Sequence, residues 1–126
     1  MPLVRIDLRR GRSAADRRAI ADGVYRAMRE TFAVPEHDRF VIINEHDEAN
    51  FDFDPAYLGI PRGDGLVVIQ ITANNTRTVE QKKALYARIA ALLAERPGVR
   101  PEDVFINIVE VSKEDWSFGN GVAQYA

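Results

Sequence analysis

Pro2 offers the most distinctive chemistry in this chain. Its nitrogen is useful once Met1 is gone, and a small second residue such as Pro permits that removal. The amine so freed is the one main-chain group that titrates near neutrality, at about pKa 8 in unperturbed chains. An apolar setting lowers that value and favours a neutral base; a nearby carboxylate holds the amine cationic and favours an acid. With Met1 retained, the Pro2 nitrogen is an amide without basicity. The plain alternative is that Pro2 starts an edge strand. Asp38 and Arg77 are the other two candidates. A cation at the start of a helix, where Arg77 falls, opposes the helix dipole. A bidentate clamp on a carboxylate is a better reason for it, with a solvated surface Arg as the alternative.

Elements must bring these groups together. Val4, Ile6 and Leu8 alternate with Arg5 and Asp7, which predicts a strand. Gly11-Arg12 turns the chain, and Ser13 followed by Asp16 resembles a capping box with Asp in place of Glu. Ile20, Val24, Met28 and Phe32 then predict an amphipathic helix over 14–32, stopped by Val34-Pro35. Residues 39–44 form the next strand. From His46 to Asp64 the chain is rich in Asp, Asn, Pro and Gly, with Phe51, Phe53, Tyr57, Leu58 and Ile60 interleaved. This reads as a long packed connection.

The pattern then repeats. Leu66–Ile71 matches the first strand at a shift of 63, and Arg77-Thr78 matches Arg12-Ser13 at a shift of 65, as if two residues were inserted between. Thr78 with Gln81 is again a capping box. At the same shift Asp103 lies over Asp38, Phe105 over Phe40, Ile106 over Val41 and Glu110 over Glu45. The chain reads as one domain over 1–126. Its parts are a β-α-β unit over about 2–45, a connection over 46–64, a second unit over about 65–110 and a C-terminal segment over 111–126.

A short helix between two strands of one sheet implies a parallel, right-handed crossover in each half. Parallel strands start at the same end, so Asp38 and Pro2 are expected as neighbours. Asp38 can also be a simple turn residue, a reading that its repeat mate Asp103 favours. If the halves meet antiparallel, Arg77 faces the Pro2 end. The expected fold is α/β: tandem β-α-β repeats forming a four-stranded sheet with two helices on one face. The other face is expected to be apolar and uncovered, which predicts a homo-oligomer.

Composition narrows the partners. The chain has 126 residues, 46% of them hydrophobic, and a net charge of -2. That gives no electrostatic case for nucleic acid or a membrane surface. There is no Cys, which removes disulfides and thiolate chemistry. The first twelve residues are too charged for a signal peptide, and no apolar run approaches a membrane span. A cytoplasmic setting is expected. His37 and His46 lack ligand spacing, so neither a metal nor another cofactor is expected. Arg12 reads as a surface residue, and Gly119-Asn120-Gly121 as a turn.

Several segments carry a family resemblance. They are Pro2 opening a β-α-β unit, Val34 to Phe40, Gln70-Ile71-Thr72 with Arg77 and Glu80-Gln81-Lys82, and Asp115-Trp116-Ser117-Phe118-Gly119-Asn120-Gly121. Together they resemble the tautomerase superfamily, in particular its malonate semialdehyde decarboxylase-like, fused-domain members. The resemblance implies an enzyme that uses the Pro2 amine, an Asp38 that activates water or orients the amine, an Arg77 that binds substrate, and a homotrimer. Trp116 and Phe118 resemble pocket-wall aromatics; core or interface packing accounts for them equally well. One departure concerns the substrate. Where the decarboxylase resembles Thr-Ser-Arg-Pro-Arg, this chain has Ala73-Asn74-Asn75-Thr76-Arg77. One arginine is missing, and Asn74 stands as the candidate in its place.

The expected activity is therefore proton-transfer chemistry on a small oxo acid, either decarboxylation or keto-enol tautomerisation of a substrate such as phenylenolpyruvate. A cis-3-haloacrylate hydratase or dehalogenase is the alternative chemistry. A non-enzymatic trimeric binding protein with retained Met1 is the alternative of another class.

Overall fold

A computed structural model describes residues 1–126. Its main elements are β1 (Pro2–Arg9), α1 (Ala14–Phe32), β2 (Val41–His46), β3 (Val67–Asn74), α2 (Val79–Glu95) and β4 (Val104–Val111). The helix bounds follow from their caps. The Ser13 side chain accepts from the Asp16 amide. Asp16, one methylene shorter than Glu, does not return the bond, so the expected box is half formed. Thr78 and Gln81 close both bonds of a capping box at α2.

The strand order is β2-β1-β3-β4. β1 pairs with β2, and β3 with β4, in parallel, while β1 and β3 meet antiparallel at the centre. This is the tandem β-α-β sheet expected from the repeat. The register corrects one detail. Val4 faces Val41 and Ile69 faces Ile106, so the two halves superpose at a shift of 65 along the strands as well. There is no insertion. Alternation has a period of two, so a pattern match cannot separate shifts that differ by two.

One face of the sheet carries Val4, Ile6, Leu8, Val67, Ile69 and Ile71, all buried against Ile20, Val24, Met28, Leu85, Ile89 and Leu93 of the helices. Gly23 lets the helices approach closely; a Cβ there would lie 2.8 Å from Leu93 Cδ1. The opposite face is not the uniform apolar surface expected. Arg5, Gln70 and Asn107 form a polar row across its middle, with Gln70 Nε2 donating to Asn107 Oδ1 at 2.9 Å. Its exposed apolar residues, Ile42, Phe105 and Val109, sit on the two outer strands. No helix is long and apolar enough to cross a membrane.

Candidate active site

The topology brings four segments to one end of the sheet. The start of β1 lies beside the end of β3, with Pro2 opposite Ala73. β2 starts at this end because it runs parallel to β1, and β4 finishes here because it runs parallel to β3.

Asp38 sits in the turn before β2. Its amide donates to the Pro35 carbonyl at 3.2 Å. The preceding residue, His37, adopts φ 73, a left-handed conformation uncommon for a residue with a Cβ. The His37 amide donates to the Tyr25 hydroxyl of α1 at 3.1 Å. This turn aims the carboxylate at the chain start: Asp38 Oδ2 lies 3.9 Å from the Met1 amine, and each side chain is only 12% exposed. Asp38 Oδ1 is buried without a hydrogen-bond partner. Pro2 itself is buried.

Arg77, half-buried at the start of α2, reaches the same place. Its guanidinium donates to the Phe32 carbonyl at 3.2 Å and lies 4.8 Å from the centre of the Phe32 ring. These two contacts fix the planar fork and leave other N–H groups for an anion.

The three groups shift one another. Burial lowers the pKa of the Met1 amine below its ordinary value; Asp38 opposes this and Arg77 adds to it. Burial raises the Asp38 carboxyl, against the pull of the amine and of Arg77. Burial lowers Arg77, and Asp38 works against that. Such perturbed, mutually coupled groups cluster at functional sites.

Asn74, the last residue of β3, is buried and accepts from the Trp116 indole N–H at 2.7 Å. The Trp116 ring stacks on Phe118 at 5.5 Å, and Phe118 meets Tyr125 edge-on at 5.1 Å. The structure thus groups Pro2, Asp38 and Arg77, and it joins Asn74 to Trp116 and Phe118 beside them. A surface cleft of about 570 Å³ between α1 and the end of α2 contains none of these residues.

Two expectations change. Arg12 is half-buried and donates to the Gly65 carbonyl at 2.9 Å, so it is not a free surface residue. Asp103 resembles Asp38 in sequence position only: it accepts from the Gly63 amide at 2.8 Å and pairs with Arg100 at 3.0 Å. The two His side chains stand at opposite ends of β2, and His46 contacts Asp7 at 2.6 Å. Sequence reasoning missed Tyr25 and Phe32, which hold Asp38 and Arg77 in place. Helical periodicity makes Phe32 a core residue, and nothing in the sequence marks its carbonyl as an acceptor.

Comparison with known proteins gives a consistent picture. Two family models, both described as tautomerase enzyme, match residues 38–119 and 2–59. The "Probable tautomerase YusQ" of Bacillus subtilis is 45% identical over 98% of this chain and 98% of its own. The structure of FG41 malonate semialdehyde decarboxylase inhibited by 3-bromopropiolate has a TM-score of 0.91 and 45% identity, covering 98% of this chain and 93% of that one. A second malonate semialdehyde decarboxylase, described with decarboxylase and hydratase activities, has a TM-score of 0.92 and 32% identity over 98% and 95%. The fold alone is shared with a fused 4-OT symmetric trimer, at a TM-score of 0.79 and 20% identity over 98% and 97%.

Proposed function

The chain belongs to the tautomerase family, and on that premise we propose that it acts through the Pro2 amine, freed by loss of Met1, on a small oxo acid held by Arg77. The observation that carries this reading is the convergence at the chain start of the buried Pro2, the largely buried Asp38 carboxylate, 3.9 Å from the neighbouring Met1 amine, and the half-buried Arg77 guanidinium. Pro2 is more buried than Met1, so desolvation also acts on the amine once it moves one residue inward.

The leading reaction is decarboxylation of malonate semialdehyde, in line with the two decarboxylases of similar structure. Arg77 binds the carboxylate, and the protonated Pro2 amine donates to the aldehyde oxygen. The C–C bond to the carboxylate breaks, carbon dioxide leaves, and its electron pair forms an enolate that is reprotonated on carbon. A second reading has its own support. Burial lowers the pKa of the Met1 amine against the pull of Asp38; the same desolvation at the buried Pro2 favours a neutral base able to move the enol proton of phenylenolpyruvate to carbon. Hydration or dehalogenation of cis-3-haloacrylates, with Asp38 activating water, is the third. Malonate semialdehyde, phenylenolpyruvate and cis-3-chloroacrylate offered to one Met-free preparation separate the three. Inactivity toward all of them would favour a binding protein.

Arg77→Ala is expected to lower kcat/KM for any carboxylate substrate by roughly 10- to 150-fold, the equivalent of about 1.5–3 kcal/mol for a hydrogen bond to a charged group. Steady-state kinetics decide it. Unchanged constants would return Arg77 to a surface role. For assembly, the exposed apolar residues of the outer strands support a homotrimer with three equivalent sites. Light scattering at micromolar concentration is expected to give three times the chain mass, and a monomer would refute the trimer.

A further inference from the structure

The far end of the sheet repeats the architecture of the candidate active site. At the shift of 65 fixed by the strand register, Arg9 is the mate of Asn74, Arg12 of Arg77, Asp103 of Asp38, Phe51 of Trp116 and Phe53 of Phe118. The short 3-10 turns Glu48–Asn50 and Lys113–Asp115 are mates too. The aromatic pair is kept as a contact with a different geometry: Phe51 and Phe53 meet edge-on at 5.9 Å where Trp116 and Phe118 stack at 5.5 Å. Two features are not repeated: the mate of Pro2 is Val67, within the chain, and Asp103 is taken up by the Gly63 amide and Arg100.

This end holds a poorly satisfied guanidinium. Arg9 is 20% exposed and lies 5.2 Å from the centre of the Phe53 ring. It donates to the Phe51 carbonyl at 3.3 Å, and its Nε is buried with no partner. Its other partner is Asp64 at 2.7 Å, which is 95% exposed. A carboxylate that lies almost wholly in water is weakly held. An open cleft of about 300 Å³ adjoins, lined by Arg9, Arg10, His46, Asp47, Glu48 and Asp64. Arg10 is taken by Asp47 at 2.7 Å and His46 by Asp7 at 2.6 Å. That leaves Arg9 as the cation able to change partner. Glu48, in the same lining, disfavours a dianion.

We propose that this end is a second, non-catalytic site for a small monocarboxylate with an apolar or aryl tail, in which Arg9 holds the carboxylate against Phe51 and Phe53 and the chain's own Asp64 is the resident competitor. A ligand carboxylate displaces Asp64 from Arg9 Nη1. Nothing in this site depends on the Pro2 chemistry.

Phenylacetate is the probe, added to Arg77→Ala protein so that binding at the Pro2 end is weakened. NMR amide shifts over residues 46–53 are expected to move saturably. Adding Asp64→Asn is expected to tighten binding about tenfold, by removing the competitor. Adding Arg9→Gln is expected to abolish it. Arg9→Lys keeps the charge without the fork and is expected to weaken binding at least fivefold. The proposal fails if residues 46–53 show no saturable shift in the Asp64→Asn background. It also fails if affinity survives Arg9→Gln in protein with native circular dichroism. Should Arg9→Gln not fold, unchanged affinity in Arg9→Lys is enough to overturn it.

Discussion

Protein that keeps Met1 is expected to be inactive, with turnover at least about 100-fold below Met-free protein, since general acid–base catalysis by one positioned group contributes roughly 10²–10⁴-fold. The reason is a single bond. An acylated Pro2 nitrogen is an amide and neither takes nor gives a proton near neutrality. The Met1 amine is no substitute: it stands one residue outside the buried Pro2. The measurement pairs intact mass with activity on the same sample. Activity should rise in proportion to the Met-free fraction, and an N-terminal extension that cannot be removed should eliminate it. Full activity in protein with Met1 wholly retained would end the Pro2 mechanism. The pH profile adds a second check. Burial lowers the pKa of the Met1 amine and acts in the same direction on an amine at the buried Pro2, so a reaction that needs the neutral amine should lose activity on acidification at a pH below the ordinary amine value of about 8.

Much of this geometry is legible in the sequence, for reasons that also mark the limit. The bounds of α1 follow from Ser13 at one end and Val34-Pro35 at the other. The parallel pairing within each half follows from the single helix between its two strands, which carries the chain back to the end where the first strand began. The antiparallel meeting of β1 and β3 is different. No local pattern encodes which strands of two similar units become neighbours; the long-range packing of eighteen buried core residues decides it. The placement of Arg77 depends on that meeting. So do its contacts with Phe32, 45 positions away. The uncovered face misleads for a related reason. Arg5, Gln70 and Asn107 look like isolated polar residues in the sequence, and only the register lines them up as a row.

The paired aspartates show what duplication does and does not preserve. Asp103 is pushed up by burial, but its hydrogen bonds to Arg100 and the Gly63 amide and the charges of Arg100 and Arg12 outweigh that and hold it below the usual carboxylate value. An acid with a depressed folded-state pKa stabilises the fold above its unfolded value, and that stability is lost as pH falls through the folded one. Asp38 has the opposite balance: burial raises its pKa above the usual value. Its charged form therefore costs stability at neutral pH, and the fold gains as pH falls and the carboxyl protonates. A residue kept for structure would resemble Asp103. Asp38 retains a buried, unpartnered oxygen at a net cost, and such perturbed groups cluster at functional sites.

Asp38→Asn is therefore expected to leave the fold intact and to separate the reactions. Removing the raised carboxylate takes away an unfavourable buried charge, so the melting temperature at neutral pH should stay level or rise. The effect on chemistry runs through the amine. At the Met1 amine burial and Arg77 lower the pKa while the carboxylate raises it, and the same influences are expected at the Pro2 amine. Without the carboxylate that pKa falls further, and at neutral pH the amine is more fully neutral. Decarboxylation needs the cationic amine as a proton donor, and hydration needs the carboxylate itself as a base toward water. Both should fall on the order of 10²–10⁴-fold, the range for losing a positioned acid or base. Tautomerisation needs the neutral amine and a held carboxylate, which Pro2 and Arg77 still supply. It should fall less than about tenfold, and its acid limb should move to lower pH, as the loss of a neighbouring negative charge requires. Both activities are measured on one preparation across pH, with circular dichroism and a thermal melt beside them. Equal losses in both would show that Asp38 does not divide the two chemistries. A lowered melting temperature would show instead that Asp38 serves the fold, as Asp103 does.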